Sequence, residues 1–230
     1  MKTFVLGDIH GAYTALMQCL ERAQFDYRKD RLIVLGDVCD GWPQVKESIE
    51  ELLKVRNLEY IIGNHDLWAL HWARYGIAPE SWLEQGGYHS FLSYKGGPVP
   101  QTHIDFLAQA HPWFVWENRL FVHGGFDWKR PLPEQDIDVL VWDRELLQSA
   151  YKKNLADPHF QFSSFPEIYV GHTPTSNFGT FLPAKFCNVW AMDTGAGWNG
   201  RLTIMDIDTE QYWQSDFTPT LYPDETGRRM

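Results

Sequence analysis

Thr3-Phe4-Val5-Leu6 runs straight into Gly7-Asp8-Ile9-His10-Gly11, so a short β-rich apolar stretch ends in a glycine-bounded loop that carries an acid and an imidazole. A helix follows, because Leu16, Met17, Leu20 and Ala23 share one face at helical spacing. The unit then repeats. Residues 31–35 predict a buried strand, 36–43 a loop, and Val45, Ile49, Leu52 and Leu53 the apolar stripe of a second helix. Residues 58–62 predict a third strand, followed by Gly63-Asn64-His65-Asp66 and a third helical stretch. Strands that alternate with helices pair in parallel through long right-handed crossovers, which makes the fold α/β. Farther along, 113–116 and 119–122 flank Glu117-Asn118 as a hairpin. A helix is expected over 137–151, and strands over 168–170, 186–192, 202–207 and 210–213. The sum is a mixed, two-sheet α/β layer structure.

A chain of 230 residues, 44% apolar and 22% charged, is long enough for one well-buried core and tight for two. We therefore expect a single domain over 1–230, with surface insertions at 78–101 and 152–166 and a polar tail over 218–230 that lies on the surface or frays. Twenty Lys and Arg against thirty Asp and Glu give a net charge of -10, so there is no cationic field to gather phosphate backbones and duplex nucleic acid is not an expected partner. Cys19, Cys39 and Cys187 are odd in number and far apart, offering neither a disulfide framework nor a zinc CxxC pair. That suits a reducing cytoplasm. The sequence has no apolar run of about 18 residues, so no membrane association is expected. Oligomeric state is left open.

The chemistry collects where apolar runs end. Five such ends carry Gly7-Asp8-Ile9-His10-Gly11, Gly36-Asp37-Val38-Cys39-Asp40-Gly41, Gly63-Asn64-His65-Asp66, Val122-His123-Gly124-Gly125 and Gly171-His172-Thr173. In α/β sheets ligands bind outside the carboxyl ends of the strands, so the five loops can share one crevice. Asp8 and His10 stand at i and i+2, which in extended backbone puts both side chains on one side. A lone histidine after a strand is more often a packed or hydrogen-bonded residue, and a lone Asp an ordinary helix cap. Five such loops in series point instead to a metal site. Oxygen and nitrogen donors without thiolate suit Mn, Fe, Zn or Ni.

These motifs, GDIHG, GDVCD, GNHD, HGG and GHT in this order, resemble the calcineurin-like metallophosphoesterases, in the branch of serine/threonine protein phosphatases and symmetrical diadenosine tetraphosphatases. The resemblance covers about residues 4–173 and implies an α/β fold of two mixed β-sheets, a β-sandwich flanked by helices. It implies two divalent ions, with Mn²⁺ expected: Asp8, His10 and Asp37 would hold one, and Asp37, Asn64, His123 and His172 the other, Asp37 bridging. Water activated by the paired ions would attack phosphorus in line. His65 resembles the general acid that protonates the leaving group, with Asp40 orienting its ring. The branch usually has Arg-Gly after this Asp, an arginine that clamps phosphate, where this chain has Gly41-Trp42. Val141-Trp142-Asp143-Arg144 resembles the segment that supplies another phosphate-binding arginine in bacterial relatives, so Arg144 is the expected clamp, beside Asn64. Trp42 reads either as loop packing or as a base-stacking platform. The expected activity is hydrolysis of phosphomonoesters, as in a serine/threonine protein phosphatase, on a phosphorylated protein or small phosphoester. The alternatives are a bis(5'-nucleosyl)-tetraphosphatase and a binding module that has lost catalysis.

Overall fold

The computed structural model describes residues 1–228. Among them, ten strands form two five-stranded sheets. The first contains β1 (Thr3–Leu6), β2 (Arg31–Val34), β3 (Asn57–Tyr60), β9 (Thr203–Asp206) and β10 (Tyr212–Gln214), in the order β10-β9-β1-β2-β3. The second contains β4 (Trp113–Trp116), β5 (Arg119–Val122), β6 (Glu167–Val170), β7 (Ala184–Phe186) and β8 (Val189–Ala191), in the order β4-β5-β6-β8-β7. Parallel ladders run from β1 to β2 to β3 and from β5 to β6 to β8; antiparallel β9 and β10 extend the first on one side, and antiparallel β4 and β7 flank the second on both. The mixed two-sheet expectation holds.

Period-2 alternation explains how strands this short stay buried. Val5, Ile33, Phe121 and Tyr169 point between the sheets, while their neighbours Phe4, Leu6, Leu32 and Val34 face the first helical layer and Leu120, Val122, Ile168 and Val170 the second. The first layer holds α1 (Tyr13–Arg22), α2 (Val45–Leu52), α3 (Asn64–Tyr75), a helical run made of α4 (Glu80–Trp82), a π turn and α5 (Tyr88–Ser93), then α6 (Gln101–Ala108). The second holds α7 (Ile137–Trp142) and α8 (Glu145–Asn154), and the short α9 (Thr218–Leu221) lies near the C-terminus. Each parallel crossover returns the chain to the same edge. The C-terminal ends of β1, β2, β3, β5, β6 and β8 therefore open on one side of the molecule.

Four expectations need correction. The helix over 137–151 breaks at Asp143 and Arg144, because Asp143 Oδ2 accepts the Leu146 N–H at 3.0 Å and starts α8 afresh. The strand over 186–192 is a hairpin, since Cys187 has φ 54° and turns β7 into β8. Residues 78–101 are not a surface insertion. Trp82 and Ser90 are fully buried there, so the run is part of the first layer. The tail does not lie loose as far as residue 228: Thr218 and Tyr222 are buried, and the chain crosses the open ends of the first sheet. Residues 229–230 are outside the described part.

Candidate active site

All six proposed ligands stand at strand ends and are buried. Asp8, His10 and Asp37 offer donor atoms within 4.8 Å of one another, and so do Asp37, His123 and His172. Asp37 belongs to both groups. Its Oδ2 lies 3.5 Å from His10 Nε2 and 3.4 Å from His123 Nε2, while its Oδ1 accepts the His65 backbone N–H at 3.0 Å. Asn64 joins at His123, with Oδ1 3.1 Å from Nε2.

The extended i, i+2 argument for Asp8 and His10 fails in detail, although the two residues converge. His10 has φ 50°, and its loop is tied to the next by N–H bonds from Ile9 and His10 to the Asp37 carbonyl. Asp37, Asp40 and His172 are also left-handed, at φ 48°, 72° and 62°. Such backbone costs of order 1–3 kcal/mol per residue and persists where its surroundings over-determine it. Here the surroundings include close glycines. A Cβ at Gly63 would collide with Asp37 Oδ1, and one at Gly171 with Asp8 Oδ1, so only glycine lets these strand ends lie on the carboxylates.

The ring orientations favour a cation. His10 Nδ1–H donates to the Cys39 carbonyl at 3.1 Å and His123 Nδ1–H to the Leu35 carbonyl at 2.7 Å, which turns both Nε2 atoms toward Asp37. Asp8 Oδ2 accepts the His172 N–H at 2.9 Å, while Asp8 Oδ1 and His172 Nε2 are buried without a partner. Burial works against a charge on His123, yet the carboxylates of Asp37 and Asp8 outweigh it and push the imidazole up to about 10. Burial, and then Asp193, raise Asp8 well above the carboxylate range. Positive charge is wanted here, and orphaned oxygen and nitrogen donors are present to bind it. The residues fit a pair of divalent ions.

His65 stands apart from this set. It lies in the first turn of α3, where Asp66 Oδ2 accepts the Gly63 N–H at 3.0 Å and Asp66 Oδ1 accepts the N–H groups of Val38 and Cys39 at 2.9 and 3.0 Å, stitching two site loops together. The His65 Nδ1–H donates to Asp40 Oδ2 at 2.6 Å, and Nε2 is buried with no partner. Asp40 in turn accepts the Trp82 indole N–H at 2.8 Å and the Ser90 hydroxyl at 2.6 Å, both from the run first read as a surface insertion. Burial raises Asp40 to about 7 and lowers His65 to about 3. Below about pH 7 Asp40 therefore carries a second proton beside that of the neutral imidazole, and above it that proton is lost.

Arg144 is exposed at the break between α7 and α8, and no ion pair ties it to Asp143 or Glu145 among the described residues. It shares a cavity of about 590 Å³ with Trp198 and Arg228. Trp42 is no platform, being 1% exposed, stacked on Tyr222 at 4.9 Å and hydrogen-bonded through Nε1 to the Ala196 carbonyl. An open aromatic edge exists elsewhere, where Trp68 packs on His65 and Trp142 on His172, with the two indoles in contact.

Sequence reasoning overlooked three residues. Asp66 lies inside a quoted motif but was given no role. Asp193 is buried at the end of β8 and raised to about 6 by burial, and the same signal, an apolar run ending in an acid, stood in Ala191-Met192-Asp193. Arg228 reaches the site from the tail with no local signal.

The pattern of the calcineurin-like phosphoesterases matches residues 1–189. The chain belongs to that family. The phosphoesterase is 29% identical over 215 residues to "Serine/threonine-protein phosphatase 1" of Salmonella typhimurium, covering 89% of this chain and 91% of that protein. It is 38% identical over 274 residues to the symmetrical bis(5'-nucleosyl)-tetraphosphatase of Coxiella burnetii (strain CbuG_Q212), covering 93% and 92%. A solved structure assigned to a diadenosine tetraphosphatase shares its fold, with a TM-score of 0.70 at 16% identity, covering 93% and 92%. The phosphoesterase is thus a metal-dependent phosphoric ester hydrolase. No described helix is long and apolar enough to cross a membrane.

Proposed function

We propose that the chain hydrolyses phosphomonoesters in the manner of a serine/threonine protein phosphatase, with Asp8, His10, Asp37, Asn64, His123 and His172 holding two divalent ions, Mn²⁺ foremost. When bound, such ions supply a Lewis acid and a water activated for attack on phosphorus. The carrying observation is His65: its Nδ1–H is fixed by Asp40, and its Nε2 is unpartnered beside the paired clusters. A group so held delivers a proton to a poor leaving group, which serine and threonine alkoxides are. Asp40 keeps the ring oriented, with Trp82 and Ser90 fixing the carboxylate. Arg144 grips phosphate oxygens at the mouth, and Arg144→Ala is expected to lower kcat/KM roughly ten- to a hundredfold.

A second reading, a dinucleoside polyphosphate hydrolase, is favoured by the open Trp68 and Trp142 edge, on which a base could stack. The deciding experiment is a panel with Mn²⁺, comparing a phosphoserine peptide, p-nitrophenyl phosphate and diadenosine tetraphosphate. The first reading requires the highest kcat/KM among the natural esters on the peptide, and the second on the dinucleotide. No turnover of any of them would leave the binding module.

A further inference from the structure

We propose that Arg228, carried across the site by the C-terminal strap, is a phosphate-binding residue that fills the place left empty by Gly41. This rests on reading the site as a phosphoesterase centre. Gly41 has φ 82°, and a Cβ there would lie 2.9 Å from the His10 Cβ and 3.4 Å from the Arg228 Cγ. A Cβ at Gly86, whose carbonyl accepts the Gly41 N–H at 3.1 Å, would lie 3.0 Å from the same Cγ. The arginine stem therefore rests on two glycines, in space that side chains at those positions would claim. The Arg228 N–H donates to the Gly197 carbonyl at 2.9 Å, and the guanidinium lies 4.4 Å from the Trp198 ring centre.

The charged end is what calls for a ligand. Nη1 is 3.3 Å from His10 Nε2, and Nε is buried with no partner among the described residues. No carboxylate among the described residues forms an ion pair with Arg228. Burial works against the charge, the carboxylates of Asp37, Asp40, Asp193 and Asp8 favour it only from beyond ion-pair distance, and the planar fork suits phosphate oxygens bidentately. Arg228 and Arg144 line one cavity, so an ester entering beside the paired clusters would meet two guanidinium groups, one from the break between α7 and α8 and one from the C-terminal strap.

The strap is fixed well enough to place such a group. Tyr222 stacks on Trp42, its hydroxyl donates to Gln44 Oε1 at 2.8 Å, and it accepts the Thr14 N–H at 2.9 Å. His89 Nε2 and Glu225 Oε2 meet at 3.1 Å, and Gly227 packs against the face of Trp42. Residues with no obvious task in the sequence, Trp42, Gly86 and His89, thus act as the seat of the strap.

The test uses the full chain loaded with Mn²⁺ and compares wild type with Arg228→Ala, Arg228→Lys and a chain ending at residue 222. For Arg228→Ala we expect kcat/KM on p-nitrophenyl phosphate to fall roughly ten- to a hundredfold, and inhibition by inorganic phosphate to weaken by about tenfold or more. Metal content and thermal midpoint should be unchanged, Arg228→Lys should recover part of both losses, and the shortened chain should repeat the alanine result. Unchanged phosphate inhibition in Arg228→Ala, with the wild type active, would overturn the proposal alone. A gain in Mn²⁺ affinity or turnover would overturn it in favour of a guanidinium that blocks the His10 nitrogen. An inactive wild type that binds no metal would sink the underlying site reading instead.

Discussion

Where β5 and β6 begin, Glu167 is surrounded by donors: Arg119 Nε at 2.9 Å, Lys185 Nζ at 2.8 Å, the Tyr169 hydroxyl at 3.1 Å and the Trp190 indole N–H at 3.3 Å. Arg31 pairs with Glu59 nearby and lies over the Trp116 ring at 3.8 Å, joining the two sheets. At the opposite, C-terminal ends of the parallel strands, Asp8, Asp37, Asp40, Asp66 and Asp193 are buried among imidazoles, and Asp8 Oδ1, His65 Nε2 and His172 Nε2 have no partner among the described residues. One end spends its charges on one another. The other keeps strained loops, carboxylates that are raised at Asp8, Asp40, Asp66 and Asp193, and orphaned donors, an arrangement that is poor for stability and suited to binding ions and moving protons.

His65→Asn is the sharpest way to probe that division and has the largest expected effect. On a phosphoserine peptide kcat should fall by roughly 10² to 10⁴, the range of general acid catalysis, whereas p-nitrophenyl phosphate, whose leaving group departs unaided, should lose at least about tenfold less. Rapid-quench or steady-state kinetics on both esters checks it. Equal losses with metal content intact would mean that His65 positions phosphate and does not donate a proton.

Glu167→Gln should do the reverse, lowering stability by about 1 to 2 kcal/mol and leaving kcat untouched. Burial raises the Glu167 carboxyl, but the bonds from Lys185 and Arg119 outweigh it and hold it below its ordinary value. A depressed carboxylate stabilises the fold above its unfolded pKa of about 4.5, and that contribution fades as pH falls through the lower folded value. Urea midpoints from pH 7 down to 3 should therefore converge for variant and wild type at the acid end. A constant gap, or a loss of turnover, would blur the distinction between the two ends.

Ser90→Ala has the smallest expected effect. It removes a donor that favours the Asp40 carboxylate, so the pair, with Asp40 at about 7, should hold its second proton to higher pH. The acid form is present below that value and lost above it. The alkaline limb of kcat should move upward by about half a unit to one unit. A limb that stays put or moves down would detach Ser90 from the dyad.

The strands and their loops were legible because β1, β2, β5 and β6 are buried on both faces, so their apolar runs stop abruptly at glycine and a polar residue. The same rule would have found Asp193. The break at Asp143 was legible too, since Asp before a helical run is a start signal, but the apolar pattern on both sides of it read as one continuous helix. What the sequence could not reveal is tertiary. Ser90 and Trp82 meet Asp40 only after 80–93 folds under the first sheet, and Arg228 meets Gly41 only because Trp42 and Tyr222 stack. No local period encodes contacts of that kind.

The central claim is that Asp37 holds two ions together at the open strand ends. Equilibrium dialysis of the chelator-stripped chain against Mn²⁺, followed by elemental analysis, should find two ions per chain in the wild type and in Glu167→Gln, and at most one in Asp37→Asn. A full pair retained by Asp37→Asn, or none in the wild type, would contradict it.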